Sequence, residues 1–468
     1  MNRKSFLKRV ALISGSAFIS LRTNALDQLQ RSTTLTGTVS AEGKGIANAL
    51  ISDGFSVVKT DGSGRYSINT HDKAQFVFLS TPSGYDFKVD GNIARQYENL
   101  GSRNEYNFTL KKLKKNDDNH QFIIWADPQV KNKKDVAQMM ATSVPDVQQL
   151  INEMGPNTLV HGICVGDIVW DNLPLYEDYN VAVAKMGIPF FQALGNHDMD
   201  YRMGGDETSD KTFKQYFGPT YYSFNRGKAH YIVLDDVRYL GKEREYDGYI
   251  SEEQLAWMEK DLAFVPKDNL VIINLHIPVH NAVKNKAAFY KLLETFTNVH
   301  IMSGHTHYNK NVIQNGIFEH NHGTVCGAWW TGEICGDGTP RGYGVYEVKG
   351  TQLKWYYKPT GLTKKHQVSI DIETLTNQKR IIANVWNYDP EWKVECFLDG
   401  KRVEMEKQIG FDPEAVRLYL GDKLPVSRPF AEPNKTDHLF MVHCEPAVKN
   451  VKVVVTDRFG EKYEASKS

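Results

Sequence analysis

The strongest constraint on the fold lies between residues 121 and 360, where six apolar runs (QFIIWAD, TLVHGICVGD, IPFFQALGNHD, AHYIVLDD, NLVIINLH and NVHIMSGH) each stop on polar or charged residues. Runs of this kind, separated by helical stretches, predict strands alternating with helices in an α/β architecture that gathers its site groups at strand C-termini. The clearest helix is expected over 252–264. Ser251 stands as its N-cap, Gln254 three residues on completes a capping box, and Leu255, Met258, Leu262 and Val265 recur at helical spacing.

Five segments at or next to these strand ends carry residues able to ligate a metal: Asp127-Pro128-Gln129, Gly166-Asp167 with Asp171, Gly195-Asn196-His197-Asp198, His276, and Gly304-His305-Thr306-His307. One such segment alone is weak evidence, since a histidine at a strand end is more often a satisfied structural group. Five in succession, each following an apolar strand, make coincidence improbable. Carboxylates, imidazoles and an amide oxygen suit Mn, Fe or Zn better than metals that prefer thiolates. Asp167, which can use both carboxylate oxygens, is the natural bridge between two ions.

The order of these segments resembles the calcineurin-like metallophosphoesterase family, whose motifs run Asp-x-His, Gly-Asp-x-x-Asp, Gly-Asn-His-Asp/Glu, His and Gly-His-x-His. Two departures stand out: Gln129 replaces the first histidine, and the second motif, Gly166 to Asp171, is one residue longer. The resemblance implies a four-layer α/β/β/α catalytic domain over 118–362. It also implies two divalent or trivalent metal ions, one held by Asp127, Gln129, Asp167 and His307, the other by Asp167, Asn196, His276 and His305. A hydroxide between the ions would attack phosphorus in line. His197 matches the family's catalytic histidine, with Asp171 or Asp198 orienting its ring. The expected reaction is hydrolysis of a phosphomonoester or phosphodiester, in a small molecule or an envelope component. Because the Asp-x-Gln variant also occurs in branches that cleave nucleotide diphosphates, a pyrophosphatase is the rival enzyme. The non-enzymatic rival is an envelope- or glycan-binding protein with a structural metal site. Candidate substrate contacts are Arg202, His280, Asn281, Trp329 and Trp330.

Short alternating strands broken by glycine turns occupy 33–113 and predict a small β-sandwich, resembling transthyretin-like and carboxypeptidase-regulatory modules. Residues 111–119, rich in Lys, Asp and Asn, read as a solvated linker. A second all-β sandwich is expected over 366–468, with Trp386 and Trp392 as core aromatics. Residues 1–9 are basic and 10–21 are apolar but too few to span a bilayer, so 1–25 reads as a signal peptide of twin-arginine type, with Lys4 in place of the second arginine. That predicts export to the periplasm or beyond, without a transmembrane anchor. The balance of 56 basic against 56 acidic residues excludes a broadly basic surface, so nucleic acid is not an expected partner. Five widely spaced cysteines form no disulfide framework; Cys326 and Cys335 either pair or stay as buried thiols.

Overall fold

The computed structural model describes residues 33–468; the signal-peptide segment, 1–25, lies outside the described residues. Two sheets form the centre. In the first, Asn119–Trp125, Val160–Cys164 and Phe190–Gln192 run parallel, with Trp125 opposite Cys164 and Cys164 opposite Gln192. Antiparallel strands Gly342–Lys349 and Gln352–Pro359 extend it on one side. In the second, Ala229–Val233, Leu270–Asn274, Asn298–Ser303 and Ile317–Asn321 are parallel, flanked by Tyr222–Arg226 and Lys310–Gln314. The sheets face one another through aromatic rings: Phe191 stacks on Phe224 at 3.8 Å, and Phe122 meets Tyr231 edge-on at 5.4 Å. Helices Lys133–Ala141, Ser143–Met154 and Tyr176–Met186 accompany the first sheet, and Glu252–Leu262 and Lys286–Leu293 the second. The outcome is an α/β/β/α sandwich.

Local chemistry explains the element ends. Ser251 Oγ accepts from the Gln254 amide at 3.3 Å, as expected of the N-cap. The helix stops at Leu262, two residues short of the sequence expectation, because its last turn tightens: Phe264 N donates to Asp261 O and Val265 N to Leu262 O, both at 3.1 Å.

The N-terminal region is a pair of small sheets around Leu35, Val39, Ile51, Ile68, Val77 and Leu79. It is less separate than its sequence suggests. Strand Phe76–Ser80 is buried on both faces, Val77 and Leu79 pointing into the small sandwich while Phe76 and Phe78 join the central core. The hairpin Val89–Asp90 and Ile93–Ala94 pairs with Phe190 and becomes the edge of the first central sheet. The linker reading needs correction at Asp117. The neighbouring lysines are solvated, but Asp117 is buried, accepting from Ser83 Oγ at 3.0 Å and Gly84 N at 2.8 Å.

The C-terminal region packs two four-stranded sheets around Ile381, Val385, Cys396, Val453 and Val455. Trp386 and Trp392 are buried. One helix interrupts the expected all-β pattern: Pro413–Leu420, capped by Asp412, whose side chain accepts from Glu414 N and Ala415 N. All five cysteines are free; Cys326 and Cys335 both lie against Thr324 Oγ1 instead of joining.

Several histidines sit in the core without charge. His120 bonds Tyr231 at 2.6 Å, His161 has no hydrogen-bond partner on either nitrogen among the described residues, and His300 Nδ1 meets His320 Nε2 at 2.9 Å. Burial pushes His120 down to about 4 and His300 down to about 3, and holds His161 and His320 well below the ordinary imidazole value. Such rings stay neutral in the fold but take up protons in the unfolded chain below about pH 6.5. The unfolded state then binds more protons, so stability falls as pH drops from about 6.5 towards 4, by up to roughly 1.4 kcal/mol per ring per pH unit. Calorimetry on chelator-treated protein should show a Tm several degrees lower at pH 5 than at pH 7.5; an unchanged Tm would contradict this account.

Candidate metal centre

Residues from all five motifs converge where the parallel strands of both sheets end. Asp127 and Gln129 follow Asn119–Trp125, Asp167 follows Val160–Cys164, Asn196 follows Phe190–Gln192, His276 follows Leu270–Asn274, and His305 and His307 follow Asn298–Ser303. Asp127, Gln129, Asp167, His305 and His307 all hold the left-handed backbone region, with φ from 42° to 69°. Such conformations cost side-chain-bearing residues on the order of 1–3 kcal/mol each and persist where surrounding contacts fix them. Here they turn the chain sharply at strand ends and aim donor atoms inward. The motif glycines make room: a Cβ on Gly195 would lie 2.3 Å from Asp167 Oδ1, and one on Gly304 2.6 Å from Asp127 Oδ2.

The donors form two groups that could hold metal ions. Asp167, His276 and His305 make one, Asp127, Asp167 and His307 the other, each with ligand atoms within 4.8 Å of one another. Asp167 belongs to both. Asn196 Oδ1 lies 3.0 Å from His276 Nε2, and His305 Nδ1 lies 3.1 Å from the same nitrogen, so three donor atoms crowd one point. Gln129 Nε2 donates to Asp167 Oδ2 at 2.9 Å, while its Oε1 is buried with no hydrogen-bond partner among the described residues; His307 faces Asp127 Oδ1 through Nε2, at 3.5 Å. A buried acceptor is rarely left unpaired, and this one fits a cation. The electrostatics agree. Against the pull of burial, the carboxylates of Asp167 and Asp127 raise His276 to about 10, and Asp167 is itself held well below the usual carboxylate range by His276 and His197. The site calls for positive charge.

His197 stands at the rim. Its Nδ1 lies 2.9 Å from Asp171 Oδ1, and its amide donates to Asp167 Oδ1 at 2.8 Å. Burial opposes its charging, but Asp167 and the Asp171 hydrogen bond prevail and its pKa is raised. The longer second motif therefore still delivers Asp171 to the histidine. Asp198 turns the other way and gathers the amides of Gly195, Ile168 and Val169 at 2.9, 3.1 and 3.2 Å, tying two motif loops together.

Three family models match the chain in succession: "N terminal of Calcineurin-like phosphoesterase" over 33–113, "Calcineurin-like phosphoesterase" over 118–309, and "C terminal of Calcineurin-like phosphoesterase" over 319–463. The chain belongs to the calcineurin-like phosphoesterase family. Solved structures similar to this calcineurin-like phosphoesterase include a dimetal phosphatase from Danio rerio, 13 % identical, covering 52 % of this chain and 97 % of that one with a TM-score of 0.38. GAP50 of Plasmodium is 15 % identical, covering 53 % and 85 % with a TM-score of 0.35. A 5'-nucleotidase precursor from Thermus thermophilus is 13 % identical, covering 52 % and 54 % with a TM-score of 0.32. No curated protein matches the chain.

The candidate substrate residues of this calcineurin-like phosphoesterase are placed unequally. Trp329 lies against His307, ring centroids 4.8 Å apart. Trp330 is buried and donates from Nε1 to Pro128 O at 2.7 Å, which fixes the peptide between Asp127 and Gln129. Arg202 is exposed and pairs with Glu243, His280 turns to Glu319 at 3.3 Å, and Asn281 is exposed on the short helix Val279–Ala282. Two other residues reach the site. Arg244 pairs with the second oxygen of Asp171, and Asp236 accepts from His276 N at 3.0 Å and Ile277 N at 3.1 Å. Asp236 ends an apolar run, AHYIVLDD, the same signal the motifs give. Arg244 lies in a charged stretch, KEREYD, that carries none.

Proposed function

We propose that this calcineurin-like phosphoesterase is a metal-dependent hydrolase of phosphomonoesters or phosphodiesters, acting outside the cytoplasm on a small-molecule or envelope substrate. The supporting observation is that Asp167 stands in both His/Asp groups, as a carboxylate shared by two ions would. Asp127, Gln129, Asp167 and His307 would hold one ion, and Asp167, Asn196, His276 and His305 the other; Mn, Fe or Zn suits these donors. Bound there, such ions supply Lewis acidity to the phosphoryl group and bring the pKa of water towards neutrality.

The chain's own residues do the remaining work. Asp171 fixes the His197 ring through Nδ1 and leaves Nε2 to serve the substrate. The Asp171 carboxylate on Nδ1 favours the protonated imidazole, which suits a donor to the departing ester oxygen. Asp198 and Trp330 hold the loops so that this geometry is set before substrate arrives.

The test is hydrolysis of a chromogenic phosphomonoester and its diester by residues 26–468 in Mn²⁺, repeated after chelation. Turnover is expected to fall roughly 10²-fold or more on chelation and to return with metal. Turnover indifferent to chelator would refute the proposal. Hydrolysis of a dinucleotide diphosphate alone would move the reading to the rival pyrophosphatase.

A further inference from the structure

One wall of the candidate site is aromatic and comes partly from the C-terminal region. Trp170 meets the His197 ring edge-on at 5.7 Å, and Trp329 lies against His307. Phe430, in the loop after helix Pro413–Leu420, closes on both tryptophans, 5.8 Å from Trp170 and 5.3 Å from Trp329, yet remains 53 % exposed. The loop is anchored there: Arg428 pairs with Asp135 and lies 5.1 Å over Trp170, and Thr331 Oγ1 donates to Ser427 O. Lys131 stands 4.4 Å from the same indole.

Outward from Phe430 the loop turns aliphatic. Val426 is fully exposed, and Leu424 and Leu420 are 49 % and 64 % exposed. Large apolar side chains clustered in one exposed stretch mark a binding surface more often than they decorate a soluble protein. This stretch runs along the chain into the phosphate end of the site, because Phe430 touches the very tryptophans that touch His197 and His307. A stacking platform alone would suit a nucleobase. Leu420, Leu424 and Val426 offer no ring face and instead match the chains of a lipid.

We propose that residues 420–430 form a lip that seats the acyl chains of an amphiphilic phosphoester presented by a bilayer, with its phosphate head at the metal centre and Lys131 beside the head group. This rests on the phosphoesterase reading. The lip would make the enzyme work at a lipid surface and favour long-chain substrates over short soluble ones.

Two measurements on wild type and on the double variant Leu424→Ser/Val426→Ser test it. The first is co-sedimentation with phosphatidylcholine vesicles carrying phosphatidic acid. The second is the ratio of kcat/KM for long-chain phosphatidic acid in mixed micelles to that for p-nitrophenyl phosphate. Wild type is expected to bind vesicles, and the variant to lose binding and to show a ratio lower by roughly 10-fold or more, the scale of exposing two aliphatic side chains. Both positions are solvent-facing, so folding is not at stake. An unchanged ratio, absent vesicle binding by wild type, or a solution dimer that buries the lip would each overturn the proposal. If no phosphoester is cleaved, the phosphoesterase reading fails by itself, and vesicle binding lost in the variant still supports the lip.

Discussion

Asp167→Asn is expected to lose metal and activity together. The carboxylate is the shared member of both donor groups, is buried, and accepts from the His197 amide and Gln129 Nε2. Asparagine keeps the size and tolerates the left-handed backbone (φ 51°), but removes the charge that His276 answers and one of two anionic oxygens. Metal analysis should find about one ion per chain or fewer, and turnover should fall roughly 10³-fold or more, the scale of losing several kcal/mol of transition-state charge stabilisation. Far-ultraviolet circular dichroism should be unchanged. A variant still holding two ions would contradict the bridging role.

His197→Ala separates chemistry from metal binding. The ring is oriented by Asp171 and donates no atom to either His/Asp group, so metal content should stay near wild type while turnover falls roughly 10²-fold or more. The loss should be greater for an alkyl phosphoester than for a p-nitrophenyl one, because nitrophenolate departs without a proton and an alkoxide does not. Equal turnover by variant and wild type on the alkyl ester would remove His197 from the mechanism.

The two halves of the site differed in how far they could be read from the sequence. Asp127, Asp167, Asn196, His276, His305 and His307 each interrupt an apolar run, and a strand end is where a polar residue announces itself. Asp171 was ambiguous by spacing, since the extra residue is absorbed locally by the Asp198 carboxylate gathering the Ile168 and Val169 amides. Arg244 was illegible, because its partner Asp171 is distant in the chain and only the tertiary fold joins them. Trp330 carried a signal of size but none of purpose; its indole proton finds Pro128, 202 residues away in the chain. At the level of fold, strands ending in ligands declared the α/β centre. The sharing of Phe76–Ser80 between two cores was hidden, because an unbroken apolar run does not say which side each residue serves.

The hairpin 89–94 bears on how such a chain can be divided. Strand Phe190–Gln192 would otherwise be the last rung of the central sheet, with bare amides and carbonyls ready to recruit another molecule. Ile93–Ala94 occupies that edge, so the N-terminal region acts as a stopper against runaway sheet extension. A cut at residue 113, where the family match ends, would leave the catalytic sheet unsealed. The segments recognised as kin are therefore not the pieces that can live apart.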